Sequence, residues 1–370
     1  MTDEKLLKNE EKAIFALRGL YKKHGYLPYK MSKFEEYELY IQNKDFLVSD
    51  RIITFNDTNG KLMALKPDVT LSIIKSGEDE KGFKQRVSYN ENVYRVSGST
   101  HRFKEIMQTG VECIGDIDVC DICDVISLAA QSLALISDTF VLEVSDLGAL
   151  AGILKSCGAP EGKFTEEALR FISGKNAHDL RRLCERGGLS AENTENIVSL
   201  VGTYGKRSEV IKTLKERFGE DAVKDLETLS ELLGKTEYED RINFDFSVVN
   251  DMSYYSGFVF RGYAGGICDG ILSGGQYDSL MRRMGRSSGA VGFAIYLDLL
   301  EQLADEKDGF DADVLLVYDD SIDSAAVLAE SERLIKEGFS VSAQKTVPAK
   351  MRFRRTVDMR AGGERKDENA

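Results

Sequence analysis

The sequence is short of the residues that metal and redox chemistry need. Three histidines, His24, His101 and His178, stand far apart in 370 residues, and none has the neighbours of a catalytic triad or a metal cluster. Six cysteines, at 113, 120, 123, 157, 184 and 268, are too few and too scattered for a disulfide framework in a chain this long, so reduced thiols are expected. The one C-x-x-C, Cys120 with Cys123, lies in DVCDICDVISLAAQSLALI. That stretch has amphipathic-helix spacing and neither a second cysteine pair nor a nearby histidine to complete a zinc site, so structural thiols are expected there. Positive charge is scarce too. Lys and Arg number 49 against 62 Asp and Glu, and the net charge of −13 argues against a general nucleic-acid binder, which needs a cationic surface. No apolar run approaches the roughly 20 residues that span a bilayer, and the opening MTDEKLLKNEEK lacks the apolar stretch of a secretory signal. A soluble, cytoplasmic protein is expected. Neither G-x-G-x-x-G entering a helix nor G-x-x-x-x-G-K-[ST] occurs, so no Rossmann site or P-loop is indicated, and no cofactor or metal is expected.

What is present is an ordinary globular mixture. Apolar residues at 42% and charged residues at 30% suffice for one large core with smaller ones and exclude disorder over most of the length. The spacing from Glu4 to His24 predicts a helix stopped at His24-Gly25. IITFNDTNGKLMAL reads as a hairpin, and Lys66-Pro67-Asp68 ends its second strand before a short helix through Ile74. RVSYNENVYRV and KEIMQTGVECIG read as antiparallel strands around the loop SGSTHRF. Residues 163–235 change to helices ended by glycines, an all-α insertion, because strand-rich sequence resumes with INFDFSVV and FVFRGYAGG. The sheet is therefore expected to draw on 1–162 and 236–305, on both sides of the insertion. After Gly309 a β-α-β unit is expected in 310–370, with a disordered last dozen residues. The fold class is α+β.

Two constellations carry possible chemistry. On the strand Lys104 to Cys113, Gln108, Gly110 and Glu112 share one face while Met107, Thr109, Val111 and Cys113 share the other. The polar set can look into a cleft, with Gly110 leaving a gap between an amide wall and a carboxylate wall; a solvated sheet face is the equal alternative. The second is DMSYYSGFVF followed by GGICDGILSGGQYD. Its glycines, 265, 266, 270, 274 and 275, imply close backbone approach, for tight turns or to admit a ligand. Tyr254 and Tyr255 could wall a pocket, although adjacent aromatics more often straddle a strand.

Four segments in order resemble the catalytic domain of class II histidyl-tRNA synthetases and their paralogues. They are LKPDVT (Leu65 to Thr70), YRVSGSTHRFKEIMQTGVECIG (Tyr94 to Gly115), DMSYYSGFVF (Asp251 to Phe260) and LSGGQYDSLMRRMG with AVGFAIYLDLL (Leu272 to Leu300). The resemblance spans roughly the first 300 residues. It implies an antiparallel sheet flanked by helices, usually dimeric, with a histidine pocket. Asp68 stands where the family has a glutamate for the ligand's α-amino group, with Thr70 and Gln108 at the same end. Glu112 with Tyr254 and Tyr255 would meet the imidazole, and Arg95 matches the arginine that meets the ATP α-phosphate.

The departures bear on activity. The resemblance places arginines where this chain has Asn250, Gln276 and Leu299, and a glutamate where it has Ser97. Adenylation charges a pentavalent phosphorus and depends on fixed cations aimed at it; losing two would cost on the order of 10⁴-fold in rate. About sixty residues follow Gly309, against the roughly hundred of a full α/β anticodon-binding domain. The basic run RFRR in MRFRRTVDMR could touch RNA but reads more readily as a solvated face. This pattern resembles the paralogous family of ATP phosphoribosyltransferase regulatory subunits. It implies a non-catalytic chain, a homodimer within a hetero-oligomer, that activates a separate short-form catalytic subunit and conveys histidine feedback. The alternatives are a histidyl-tRNA synthetase or other adenylate-forming enzyme, and an RNA-binding or structural paralogue without the pocket.

Overall fold

The computed structural model describes residues 7–43, 52–77, 79–97, 100–249, 254–303 and 310–360, and the backbone of 365–366. The chain forms two units, residues 1–303 and 304–370. The first opens with α1 (Asn9–Lys23), whose acidic first turn and basic last turn complement the helix dipole. Short strands β1 (Leu27–Pro28) and β2 (Phe34–Glu36) lead to α2 (Tyr37–Gln42). The expected hairpin is β3 (Thr54–Asn56) and β4 (Leu62–Leu65), its turn closed by Asp57 Oδ1, which accepts from the Asn59 and Lys61 amides. With β2 it makes a three-stranded sheet. Helix α3 (Thr70–Ser76) follows Pro67 directly.

The long strands β5 (Lys84–Val96) and β6 (Phe103–Gly115) pair antiparallel over their full length. They are followed by α4 (Val119–Ala134), β7 (Phe140–Asp146) and α5 (Leu147–Ser156). The helical stretch then runs α6 (Lys163–Ser173), α7 (Ala177–Arg186), α8 (Ala191–Ser199), α9 (Arg207–Phe218) and α10 (Lys224–Leu233). Between α8 and α9 the three-residue strand β8 (Tyr204–Lys206) ties this stretch to the sheet through β9 (Ile242–Asp245). The sheet is completed by β10 (Phe258–Ala264), β11 (Leu272–Gln276) and, after α11 (Asp278–Arg283), β12 (Gly289–Tyr296). Its order is β1-β5-β6-β12-β11-β10-β7-β9-β8. Among the described residues of this sheet only β1 with β5 and β7 with β9 run parallel.

The two faces of this sheet have opposite chemistry. Val111, Cys113, Leu142, Val144, Phe260, Leu272, Phe293 and Ile295 are buried in one core with α4. Helix α4 is buried on most of its circumference, and its first turn is closed by Asp118, which accepts from the Cys120 and Asp121 amides. The intervening residues of the same strands, Glu112, Gly292, Ser273, Arg261 and Glu143 among them, face the other way because side chains alternate along a strand. A second core, with Tyr40, Leu71, Ile73, Val93, Tyr254 and Tyr277, packs over part of that face.

The second unit holds the expected β-α-β arrangement: β13 (Ala312–Val317), α12 (Ser324–Lys336) and β14 (Val341–Gln344), the strands parallel. Two strands of this unit escaped the sequence reading. Phe353–Asp358 forms β15, parallel to β13, and pairs with β16 (Arg365–Lys366). The basic run RFRR is thus part of a sheet. Arg354 pairs with Asp313 at 3.3 Å, and the Arg355 guanidinium lies 4.2 Å from the centre of the Phe339 ring. Two adjacent arginines within its six residues hide the strand alternation. The last dozen residues, expected to be disordered, lie outside the described residues except for Met359, Arg360 and β16.

Candidate functional site

Alternation along β6 turns Gln108 and Glu112 toward the polar face, and both are buried. Above them the chain leaves β4, and Pro67 forces a break before α3. Asp68 Oδ1 accepts from the Leu71 amide at 3.0 Å, which starts the helix, and Thr70 is its first residue. The segment is held from behind by Lys66, whose fully buried ammonium donates to Glu91 at 2.9 Å, and by Arg95, whose Nε–H donates to the Pro67 carbonyl at 3.0 Å. Tyr254 and Tyr255 close the far side, their rings 4.8 Å apart.

These parts line a cavity of about 250 Å³, room for a ligand of amino-acid size. Asp68, Thr70, Arg95, Gln108, Glu112, Tyr254 and Tyr255, all singled out in the sequence, line it together. The two tyrosines do not straddle a strand: they precede β10, so strand alternation does not separate them. Nor does Gly110 leave an open gap. Tyr89, its cross-strand partner, reaches across it toward the Phe293 carbonyl, and a Cβ at 110 would collide with both. The glycine does serve close approach, but of a tyrosine. The same holds for Gly275, where a Cβ would meet the Tyr255 ring.

Glu112 is the electrostatic centre of the cavity. Its Oε1 accepts from the Thr70 hydroxyl at 2.7 Å and its Oε2 from the Tyr277 hydroxyl at 2.6 Å. Thr70 is therefore bonded to the carboxylate assigned to the ring end of a ligand, linking that end to the Asp68 end. Among the described residues no lysine or arginine pairs with Glu112. Burial pushes its carboxyl up to about 8, the two hydroxyls pulling it back only in part. Burial also raises Asp68, while the Leu71 amide and the Arg95 charge draw it down. Two acids held above their usual range form a site that favours a cation or hydrogen-bond donor.

Tyr89, Tyr277, Ser273, Tyr296 and Arg261 also line the cavity and were not singled out. Tyr277 was legible, since it stands in the GGQYD segment that carried the resemblance. Arg261 is a second cation beside Arg95, where the sequence reading counted one. It was hidden as a lone charge in the apolar strand FVFRGYA.

The other departures are placed as follows. Leu299 packs against the large hydrophobic core. Gln276 Oε1 accepts from the Phe258 amide at 2.8 Å and is not part of the cavity wall. Ser97 joins the turn to Arg102, its amide donating to that carbonyl at 2.8 Å. Asn250 lies outside the described residues. Among the described residues no three His, Cys, Asp or Glu side chains gather as a metal ion would require, and no helix is long and apolar enough to cross a membrane.

A mostly antiparallel sheet with helices on one face and a small polar cavity on the other is the architecture of class II synthetase catalytic domains. The chain belongs to the histidyl-tRNA synthetase family, whose sequence profile matches residues 3–300. It is 28% identical over 317 residues to the ATP phosphoribosyltransferase regulatory subunit of Halothermothrix orenii, covering 82% of this chain and 75% of that protein. It is 27% identical over 331 residues to the protein of that name from Bacillus mycoides, covering 86% and 77%. In fold it is similar to the crystal structure of an ATP phosphoribosyltransferase regulatory subunit/histidyl-tRNA synthetase from Bacillus halodurans, with a TM-score of 0.73, 24% identity, and 93% and 91% of the two chains covered.

Proposed function

We propose that this chain is a non-catalytic regulatory subunit of ATP phosphoribosyltransferase, which binds histidine in the cavity and governs a separate short-form catalytic subunit in the first step of histidine biosynthesis. The observation that carries this reading is the contrast within one site. The acidic, amide and aromatic groups suited to a zwitterion with an imidazole are assembled around 250 Å³, whereas positions 97, 276 and 299 hold serine, glutamine and leucine. Adenylate formation needs several cations converging on the α-phosphate. Arg261 does not restore that set, because it stands on β10, two strands from β12, beyond which Leu299 lies. The relatives' names support the same reading.

Feedback requires histidine to prefer one state of the complex, with a coupling of about 1–3 kcal/mol. A homodimer within a hetero-oligomer, in the cytoplasm, goes with this proposal, as does the lack of a nucleic-acid partner. The test is co-purification with a short-form catalytic subunit, scoring phosphoribosyl transfer with and without this chain and with added histidine. Higher activity and acquired histidine inhibition are expected. A transferase equally active and equally histidine-sensitive alone refutes the proposal, and so does histidine-dependent pyrophosphate exchange into ATP by the pure chain, which would mark an adenylate-forming enzyme.

A further inference from the structure

An amino acid in this cavity still needs a partner for its carboxylate, and position 250, where the family resemblance expects that arginine, is asparagine. We propose that Arg261 takes the ligand's carboxylate and makes the site selective for amino acids over the corresponding amines. The inference rests on the amino-acid reading of the cavity given above.

Among the described residues lining the cavity, Arg95 and Arg261 are the cations. Arg95 is committed to the wall: its Nε–H holds the Pro67 carbonyl and its charge lies close to Asp68, the expected partner of the ligand's ammonium. A carboxylate placed there would compete with Asp68 for the same guanidinium. Arg261 stands elsewhere. On β10, Phe258, Phe260 and Gly262 are buried toward α4, and Arg261 is exposed on the opposite face.

Register gives its position relative to the acids. Gly110 on β6, Ala294 on β12, Ser273 on β11 and Arg261 on β10 form one row across the sheet. Three strand spacings, roughly 14 Å at the backbone, separate Gly110 from Arg261. A neighbouring row runs from Glu112 through Gly292 and Gly275. The floor between Glu112 and Arg261 is thus made of glycine, alanine and serine, a short trough overhung by Tyr89 at Gly110 and by Tyr255 at Gly275, with Glu112 at one end and Arg261 lining the other. The arginine is also supported from behind. Glu143 on β7 is its direct cross-strand partner and places a carboxyl on the same face. Gly270 makes room for its stem, since a Cβ there would lie 2.9 Å from Arg261 Cγ and Cδ. A zwitterion with its ring at Glu112 and its ammonium at Asp68 would direct its carboxylate along the trough to Arg261.

The experiment is calorimetric titration of the full chain with L-histidine and with histamine, which lacks only the carboxylate, for wild type, Arg261→Met and Arg95→Met. Wild type is expected to prefer histidine by roughly 10- to 100-fold, the usual range for a charged hydrogen-bonded pair. Arg261→Met should abolish that preference by weakening histidine alone, so that histamine binding reports an intact cavity. Arg95→Met should weaken both ligands alike through the Asp68 wall. The inference is overturned if Arg261→Met keeps the preference, if it weakens both ligands equally, if Arg95→Met abolishes the preference instead, or if wild type shows none. Failure of wild type to bind either compound would instead refute the cavity reading itself.

Discussion

Replacing Glu112 by glutamine should flatten the pH dependence of folding stability. Glu112 is 2% exposed, accepts two hydroxyl hydrogen bonds and has no cation partner among the described residues. Its carboxyl is raised by burial from the ordinary 4.5 to about 8. Between those values the folded chain keeps a proton that the unfolded chain has released, so stability falls as pH rises through that window and levels off above it. The slope is about 1.4 kcal/mol per pH unit, and the limit over the whole window is about 5 kcal/mol. Glutamine keeps the shape and does not titrate. Either hydroxyl can turn to accept from its amide, so at pH 5 the variant should lie within about 1–2 kcal/mol of wild type. Urea unfolding of both proteins from pH 5 to pH 9 measures the difference. Asp146 and Glu143 are raised by burial too, and subtracting the two curves cancels their contribution; Asp68, also raised by burial, interacts with Glu112, so the difference reports the two acids together. Wild type should lose several kcal/mol more than the variant over this range. Parallel curves would show that Glu112 is ionised in the fold and that the burial argument is wrong.

Two further predictions concern the walls of the cavity. Gly292→Ala would drive a Cβ into the Glu112 carboxylate and the Val111 carbonyl; a loss of about 1–3 kcal/mol in thermal or urea unfolding is expected, with ligand binding lost. Lys66→Met would leave Glu91 largely buried and unpaired, costing about 3–5 kcal/mol. The double variant Lys66→Met with Glu91→Leu should recover most of that stability, and a double no more stable than the single would refute the ion-pair account.

The polar face of β6 was legible because strand alternation is a local rule, and Gln108 and Glu112 follow it. Asp68 was legible through Pro67, which fixes an element boundary beside it, and Thr70 through the resemblance of LKPDVT. Arg261 was half legible. Alternation in FVFRGYA separates it from Phe258 and Phe260, but only the order β6-β12-β11-β10 carries it to the cavity, and that order is a long-range property. Tyr254 and Tyr255 were placed in the pocket by the resemblance, whereas the rule that adjacent aromatics straddle a strand does not apply to them, because they precede β10. The filling of Gly110 by Tyr89 depends on the register of β5 against β6, which periodicity alone does not give. Strand β15 was lost because its alternation is written in arginines.

The small-residue floor has an asymmetric consequence for evolution and engineering. Gly110, Gly292 and Gly275 have no side-chain atoms left to delete, and Ala294 and Ser273 have almost none, so substitution in the floor can only shrink the space above it. Any enlargement toward a bulkier guest must come from the large lining side chains, as in trimming Tyr254 or Tyr255, which would remove a whole ring. A change of guest is therefore to be sought in the large side chains around the cavity, not in the floor of its sheet.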